Sequence, residues 1–129
     1  MGKYRLQLMP MSIYDIPNLE AWLEEQAKAG WFPEWTTGTL SLLRRGTPTD
    51  CRYLMEPCSR GDLEPSFELR DLYREHGWEY VERLAGQFFL FRTTRPDASD
   101  LHTDPRVQAV ALEGITRAIE RYDRRRLRS

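Results

Sequence analysis

The sequence predicts an α+β fold, a ferredoxin-like βαββαβ sandwich with an extra edge strand and a long C-terminal helix. Three observations predict it. The chain has 129 residues, 40% hydrophobic and 30% charged, which is the size and composition of one soluble domain. Strand-like and helix-like hydrophobic periods alternate along it. A helix–Gly–Trp junction occurs twice, at Gly30 and Gly77, 47 residues apart (77 − 30 = 47).

The first half opens with a strand and a helix. In KYRLQL the residues Tyr4, Leu6 and Leu8 alternate with polar ones, which predicts a strand. Asp15 is expected to cap the helix that follows. The apolar stripe of that helix consists of Leu19, Trp22, Leu23 and Ala27. Its solvated side is predicted to consist of Glu20, Glu24, Glu25 and Lys28. Gly30 is expected to end it in the left-handed conformation.

The middle of the chain predicts a β-hairpin over residues 37–56, with turn residues between TGTLSLLRR and CRYLMEP. Arg52 and Glu56 would point outward on it as a solvated or cross-strand pair. A second helix is predicted over residues 65–76, ended by Gly77, whose neighbour Trp78 should pack on Tyr73.

The last two strands are WEYVERL and QFFLFRTT, joined by a two-residue turn at Ala85 and Gly86. Residues 88–91 are apolar on both faces, which predicts a strand covered on both sides. We expect both halves to share one sheet with both helices on one face. The other face would then need a cover, from the C-terminal helix or from a second copy of the chain.

The single domain, residues 1–129, divides into a sheet core over 1–95 and an amphipathic C-terminal helix over 104–127. Asp104 is the predicted cap of that helix, with Pro105 at its first position. Its apolar stripe consists of Val107, Val110, Ala111, Ile115, Ala118, Ile119 and Tyr122.

Five segments resemble a known family when taken in order: YDIPNLEAWLEEQAKAGWFP, DCRYLMEP, HGWEYV, FFLFR and LHTDP. Over residues 4–110 the chain is similar to the DUF2812 family of bacterial proteins of unknown function. The resemblance implies membrane-spanning helices after this domain and genes near PadR-like transcriptional repressors. No such span precedes Ser129, so the chain is either naturally short or a piece of a longer protein. In the second case RRRLRS would be the cytoplasmic flank of a span.

The aromatic cluster around Pro33 is the first candidate site. Trp31 and Trp35 either plug the end of the sheet or line an apolar ligand or partner site. Arg52 is a further candidate contact. His102 lies near acidic residues just before Asp104. This pattern fits either proton transfer or a helix cap in which His102 only packs on the loop.

The C-terminus carries a basic patch although the net charge of the chain is only −1. Its residues are Arg121, Arg124, Arg125, Arg126 and Arg128. Such a patch can contact phosphate or lipid headgroups, whereas the overall charge argues against broad nucleic-acid binding. Cys51 and Cys58 fit no common metal spacing and are expected to be free thiols. We therefore predict no metal and no cofactor.

No pattern typical of a catalytic nucleophile or a phosphate loop is present in the sequence. The sequence favours a non-enzymatic binding, sensory or interaction domain, cytoplasmic and associated with a membrane or a regulator, which binds a protein partner or itself. One alternative is a small dimeric α+β-barrel-type enzyme or ligand-binding protein that uses the open sheet face, with His102 or Arg52 as polar anchors. Another alternative is a structural adaptor that docks through its C-terminal helix.

Overall fold

The computed structural model of the protein describes residues 2–58 and 61–98. They form an α+β arrangement of two helices and two three-stranded antiparallel sheets, which confirms the predicted class. The strands are β1 (Tyr4–Leu8), β2 (Trp31–Thr36), β3 (Leu40–Arg45), β4 (Arg52–Pro57), β5 (Glu79–Leu84) and β6 (Phe88–Thr93). The helices are α1 (Ile16–Lys28) and α2 (Phe67–Glu75). The predicted helix over 104–127 lies outside the described residues. Within them, no helix has the length and apolar character needed to cross a membrane.

The strands do not share one layer. The first sheet has the order β1-β3-β2 and the second has the order β4-β6-β5. The predicted hairpin over residues 37–56 is therefore wrong, because β3 and β4 belong to different sheets. The physical reason is that β3 already pairs with β1 and β2, which leaves it no free edge for β4. The ferredoxin-like order of the whole chain is accordingly not confirmed.

Each half is instead a split βαβ unit, in which the third strand inserts between the first two. The halves also match in detail. Gly30 and Gly77 both have φ +89, as predicted for the repeated junction. The pairing register skips one residue in β2, at Glu34, and one in β5, at Val81. Both bulges lie four residues after the capping glycine, so the two halves repeat the same backbone path.

The cap of α2 is formed as the sequence predicts. The N–H of Trp78 donates to the carbonyl of Tyr73 at 2.9 Å, and that of Gly77 to Arg74 at 3.0 Å, which together make a Schellman motif. Trp78 and Tyr73 belong to the same buried cluster. At the other end of α2 the Ser66 side chain accepts from the N–H of Leu69. Asp15 is the N-cap residue of α1, but its side chain makes no capping hydrogen bond.

Strand β6 is covered on both faces, as predicted, but the two helices lie on opposite faces of it instead of sharing one. On one face Phe88 and Leu90 pack in a cluster with the α1 stripe. On the other face Phe91 stacks on Tyr73 of α2, with ring centroids 3.9 Å apart. The prediction that both helices cover one face is wrong, because α1 crosses from its own half onto the second sheet.

Helix α1 also binds the free edge of the second sheet. Glu20 accepts from the backbone N–H of Met55 at 2.7 Å, and Glu24 accepts from that of Tyr53. Residues four apart on a helix are separated by about 6 Å along its axis. Residues two apart on a strand are separated by about 6.7 Å. The two carboxylates therefore match two successive outward N–H groups of β4. Their assignment to the solvated side was wrong for this reason.

We expect Glu20→Ala to lower the free energy of unfolding by about 1.5–3 kcal/mol, because it leaves the N–H of Met55 without its charged acceptor. Glu25→Ala on the same helix is the matched control. Glu25 is exposed and only pairs with Lys28 at 3.4 Å, so its removal should change stability by less than about 0.5 kcal/mol. Urea denaturation measures both variants. Equal effects would mean that the edge contact contributes nothing.

We expect Gly30→Ala and Gly77→Ala each to destabilise the fold by about 1–2 kcal/mol, because a side chain opposes positive φ. Gly30→Ala should cost more. A Cβ there would lie 2.9 Å from the carbonyl oxygen of Gly46, whereas at Gly77 it meets the movable side chain of Arg95. Gly38→Ala, where nothing lies within 4 Å, is the control. Thermal denaturation that ranks Gly30→Ala with Gly38→Ala would contradict this.

Candidate functional site

One face of the first sheet is apolar and open. We call it the outer face. It consists of Tyr4, Leu6, Leu8, Trp35, Leu40 and Leu42, which lie on the same side of the sheet by their pairing register. Phe32 and Arg44 lie on this side as well, but Phe32 packs against the buried cluster of α1 and so closes one end of the face. Leu6 and Leu8 are 60% and 66% exposed, and Trp35 is 54% exposed. The strand alternation predicted for β1 is confirmed, but its apolar side faces away from the core instead of into it.

A β-bulge brings Trp35 onto this face. Pro33 pairs with Leu43, and the next paired residue, Trp35, faces Leu42. In a regular register Glu34 would pair with Leu42, and Trp35 would pair with Ser41 on the opposite side of the sheet. Bulges commonly re-aim a side chain at functional sites. The exposure of Trp35 is thus built into the register, and no pattern in the sequence signals it.

An open groove of about 390 Å³ adjoins the outer face where β2 approaches β5. Its lining consists of Trp35, Thr36, Thr37, Gly38, Arg83, Ala85 and Gly86. The predicted turn at Ala85 and Gly86 forms, with φ +50 and +69. The N–H of Ala85 donates to the carbonyl of Thr36 at 3.0 Å, which ties the two sheets together at the groove.

Glu82 lies at this junction with an unusual environment. Its Oε1 is buried and has no hydrogen-bond partner among the residues that the structure describes. Burial, and secondly the negative charge of Glu34, raise the pKa of Glu82 to about 7. Glu34 itself pairs with Arg44 at 3.1 Å on the surface. The Val81 bulge places Glu82 opposite Leu90, just as the Glu34 bulge places Trp35 opposite Leu42.

The two predicted tryptophans separate. Trp31 pairs with Arg45 on the side of β2 opposite to Trp35, and it is half-buried. The guanidinium carbon of Arg5 lies 4.6 Å from the centroid of the Trp31 ring, a cation–π contact. Arg5 also donates to Gln26 of α1 at 2.6 Å. Trp31 therefore has the structural role, and only Trp35 is placed to meet a partner.

Arg52 is not at the open face. Its guanidinium carbon lies 5.1 Å from the ring of Trp78, and its Nη2 donates to the carbonyl of Ala98. Glu56 is buried and accepts from the hydroxyl of Tyr73 at 2.7 Å. The predicted solvated or cross-strand pair of Arg52 and Glu56 is thus wrong. Strand β4 is covered on both faces, so neither side chain of the pair points to solvent.

The cysteines are free, as predicted, with Cys51 buried and Cys58 half-buried. Burial raises the pKa of both thiols, that of Cys58 to about 11. Such thiols are poor nucleophiles at neutral pH. In the ranges 2–58 and 61–98, no three His, Cys, Asp or Glu side chains are grouped to hold a metal ion. The candidates His102 and Asp104 and the basic patch lie outside those ranges, and their roles stay predictions.

Comparison with known proteins gives one family. The family model described as "Protein of unknown function (DUF2812)" matches residues 15–119. Neither the curated proteins nor the solved structures contain a match. The matched range includes all of the described residues except residues 2–14, which contain β1.

The free energy of unfolding should fall as the pH rises from 4.5 to about 7, because Glu82 has a raised pKa in the folded protein. Its pKa is raised from 4.5 to about 7, so between these values the folded protein binds more protons than the unfolded chain. Rising pH therefore favours unfolding, by at most about 3 kcal/mol in total. Glutamine does not ionise, so the variant Glu82→Gln should not show this loss. It should be more stable than the wild type at about pH 8 and about as stable at about pH 4.5. Urea titrations across that range measure it.

Glu79→Gln is the control, since Glu79 is an exposed carboxylate on the same strand. This variant should keep the pH dependence of the wild type. A pH profile of Glu82→Gln that parallels the wild type would show that Glu82 is ionised in the fold at neutral pH.

Proposed function

Since the chain belongs to the DUF2812 family of proteins of unknown function, we propose a function from its surface: it is an interaction domain that binds a protein partner through the outer face. The exposure of the apolar residues on that face carries the proposal. Soluble proteins rarely leave a contiguous apolar patch of several hundred Å² uncovered, and such patches mark interaction sites.

The composition of the face fits protein recognition. Trp35 and Tyr4 are the residue types that dominate binding energy at interfaces, and both are at least half exposed. Leu6 and Leu42 lie between them as paired neighbours on β1 and β3. Arg44 and Glu34 form an exposed ion pair at the border, as is usual for the polar rim of an interface.

A small enzyme that uses the open face is the alternative from the sequence. It receives less support, because the face presents apolar side chains and Arg52, one of its two proposed anchors, lies on Trp78 instead. The other anchor, His102, lies outside the described residues. The adaptor alternative depends on residues 104–127, and association with a membrane or a regulator depends on the family resemblance. We further infer that the likeness to ferredoxin-like sandwiches lies in each split βαβ half.

Short random peptides displayed on phage and selected against the full chain test the proposal. We expect the selected peptides to be rich in aromatic and aliphatic residues and to lose about tenfold or more in affinity for Leu6→Lys and Trp35→Ala. Both side chains are more than half exposed, so these variants should fold normally. Fluorescence anisotropy with synthetic peptides gives the affinities.

Leu63→Lys is the matched control. Leu63 is 73% exposed but lies outside the outer face, so peptide affinity should stay within about twofold of wild type. Peptides that bind both face variants as tightly as the wild type would contradict the proposed binding surface.

A further inference from the structure

The second sheet shows how this fold covers a sheet face. The α1 residues Leu19, Leu23 and Ala27, spaced four apart, pack in one cluster with the face of the second sheet that contains Met55 and Leu90. Beside that stripe, Glu20 and Glu24 accept hydrogen bonds from backbone N–H groups of the edge strand β4. An amphipathic helix bordered by two carboxylates is therefore the cover that this face accepts.

The outer face is the counterpart of that face in the first half. The bulge in β2 places Trp35 opposite Leu42, the third residue of β3. The bulge in β5 places Glu82 opposite Leu90, the third residue of β6. The opposite sides also correspond: Phe91 packs in a cluster with α2, and Arg5, which pairs with Leu43, bonds to Gln26 of α1. Each half thus turns one side to its own helix.

The free edges correspond as well. In β1, Met9 donates to Thr39 and Lys3 accepts from Arg45, so the odd-numbered residues are the ones bonded to β3. The N–H groups of Tyr4 and Leu6, which pair with the fifth and third residues of β3, therefore point away from β3, to the open edge. In β4 the same relation holds for Tyr53 and Met55, whose side chains pack in the α1 cluster and whose N–H groups meet Glu24 and Glu20.

We propose that the outer face binds an amphipathic helix of a partner protein, with aliphatic residues at positions i, i+4 and i+8 and carboxylates at i+1 and i+5. The aliphatic stripe lies over Leu6, Leu42 and Trp35, and the carboxylates accept from the edge N–H groups of β1. This identifies the kind of partner and rests on the proposed function. The pattern is that of Leu19, Glu20, Leu23, Glu24 and Ala27.

The C-terminal stripe of the chain itself does not carry this pattern. No two of its acids Asp104, Glu113, Glu120 and Asp123 are four residues apart, and arginines follow Glu113 and Glu120 at that spacing. A helix of another protein with the paired carboxylates fits the edge of β1 better than this basic segment.

A peptide of residues 15–30, cross-linked between positions 21 and 25 to hold it helical, is the probe. Both positions are exposed in α1, so the cross-link stays clear of the docking side. We expect the labelled peptide to bind the full chain, as measured by fluorescence anisotropy. Affinity should fall at least tenfold for the chain variant Leu6→Lys and for a peptide with Glu20→Lys and Glu24→Lys. The chain variant Leu63→Lys should bind within twofold of wild type.

Each other result overturns the proposal. Equal affinity of the acidic and the lysine peptide would remove the role of the β1 edge. No binding of the peptide, while phage-selected peptides bind in a Leu6-dependent way, would refute the helical partner and leave the interaction surface in place. Concentration-dependent dimerisation that competes with the peptide would assign the face to a second copy. If neither the helical peptide nor any phage-selected peptide bound in a Leu6-dependent way, the proposed function would be overturned as well.

Discussion

Strand β6 sets the main constraint on this fold. Its residues Phe88, Phe89, Leu90 and Phe91 are all buried, so the sheet that contains them needs a cover on both faces. Its own half supplies only α2, because a βαβ crossover places its helix on one side of the sheet. The second cover must come from elsewhere, and it is α1, which packs on the second sheet and bonds to the edge of β4.

The placement of α1 leaves the two halves unequal. They share strand order, capping glycines and bulge positions, yet among the described residues the second sheet alone has helices on both sides. On the corresponding face of the first sheet Leu6, Leu8 and Trp35 are exposed to solvent. An exposed apolar face promotes aggregation unless a partner covers it. The face is open because α1, the helix of the first half, packs on the second sheet instead.

Local features of the sequence predicted the elements well. Alternation identified β1, the apolar run identified a doubly covered β6, and the Gly–Trp pairs identified both helix ends. These succeed because each depends on a few adjacent residues. The division into two sheets was missed, since strand partners are chosen by non-local pairing. The turn chemistry of GTPTD fits a hairpin as well as it fits a link between sheets.

The candidate site was predictable only in part for the same reason. The residue type singled out Trp35, but the bulge that exposes it depends on the partner strand, and so does the one that places Glu82. Alternation placed Leu6 and Leu8 on one side of β1, but alternation cannot tell which side of a sheet will be covered. Glu20 and Glu24 read as solvated, because their partners are backbone groups on a distant strand.

The two bulges also decide which side chains lie at the junction of the two sheets: an exposed tryptophan and a carboxyl with a raised pKa. One turns Trp35 toward solvent beside the groove, and the other turns Glu82 to the side facing α1, where its carboxyl is half-buried near Glu34. The Ala85–Thr36 hydrogen bond fixes the distance between these strands. Burial and the charge of Glu34 raise the pKa of Glu82, so ionisation of Glu82 disfavours the folded state at this junction. The outer face and the stability of the junction are consequently linked through the same pair of strands.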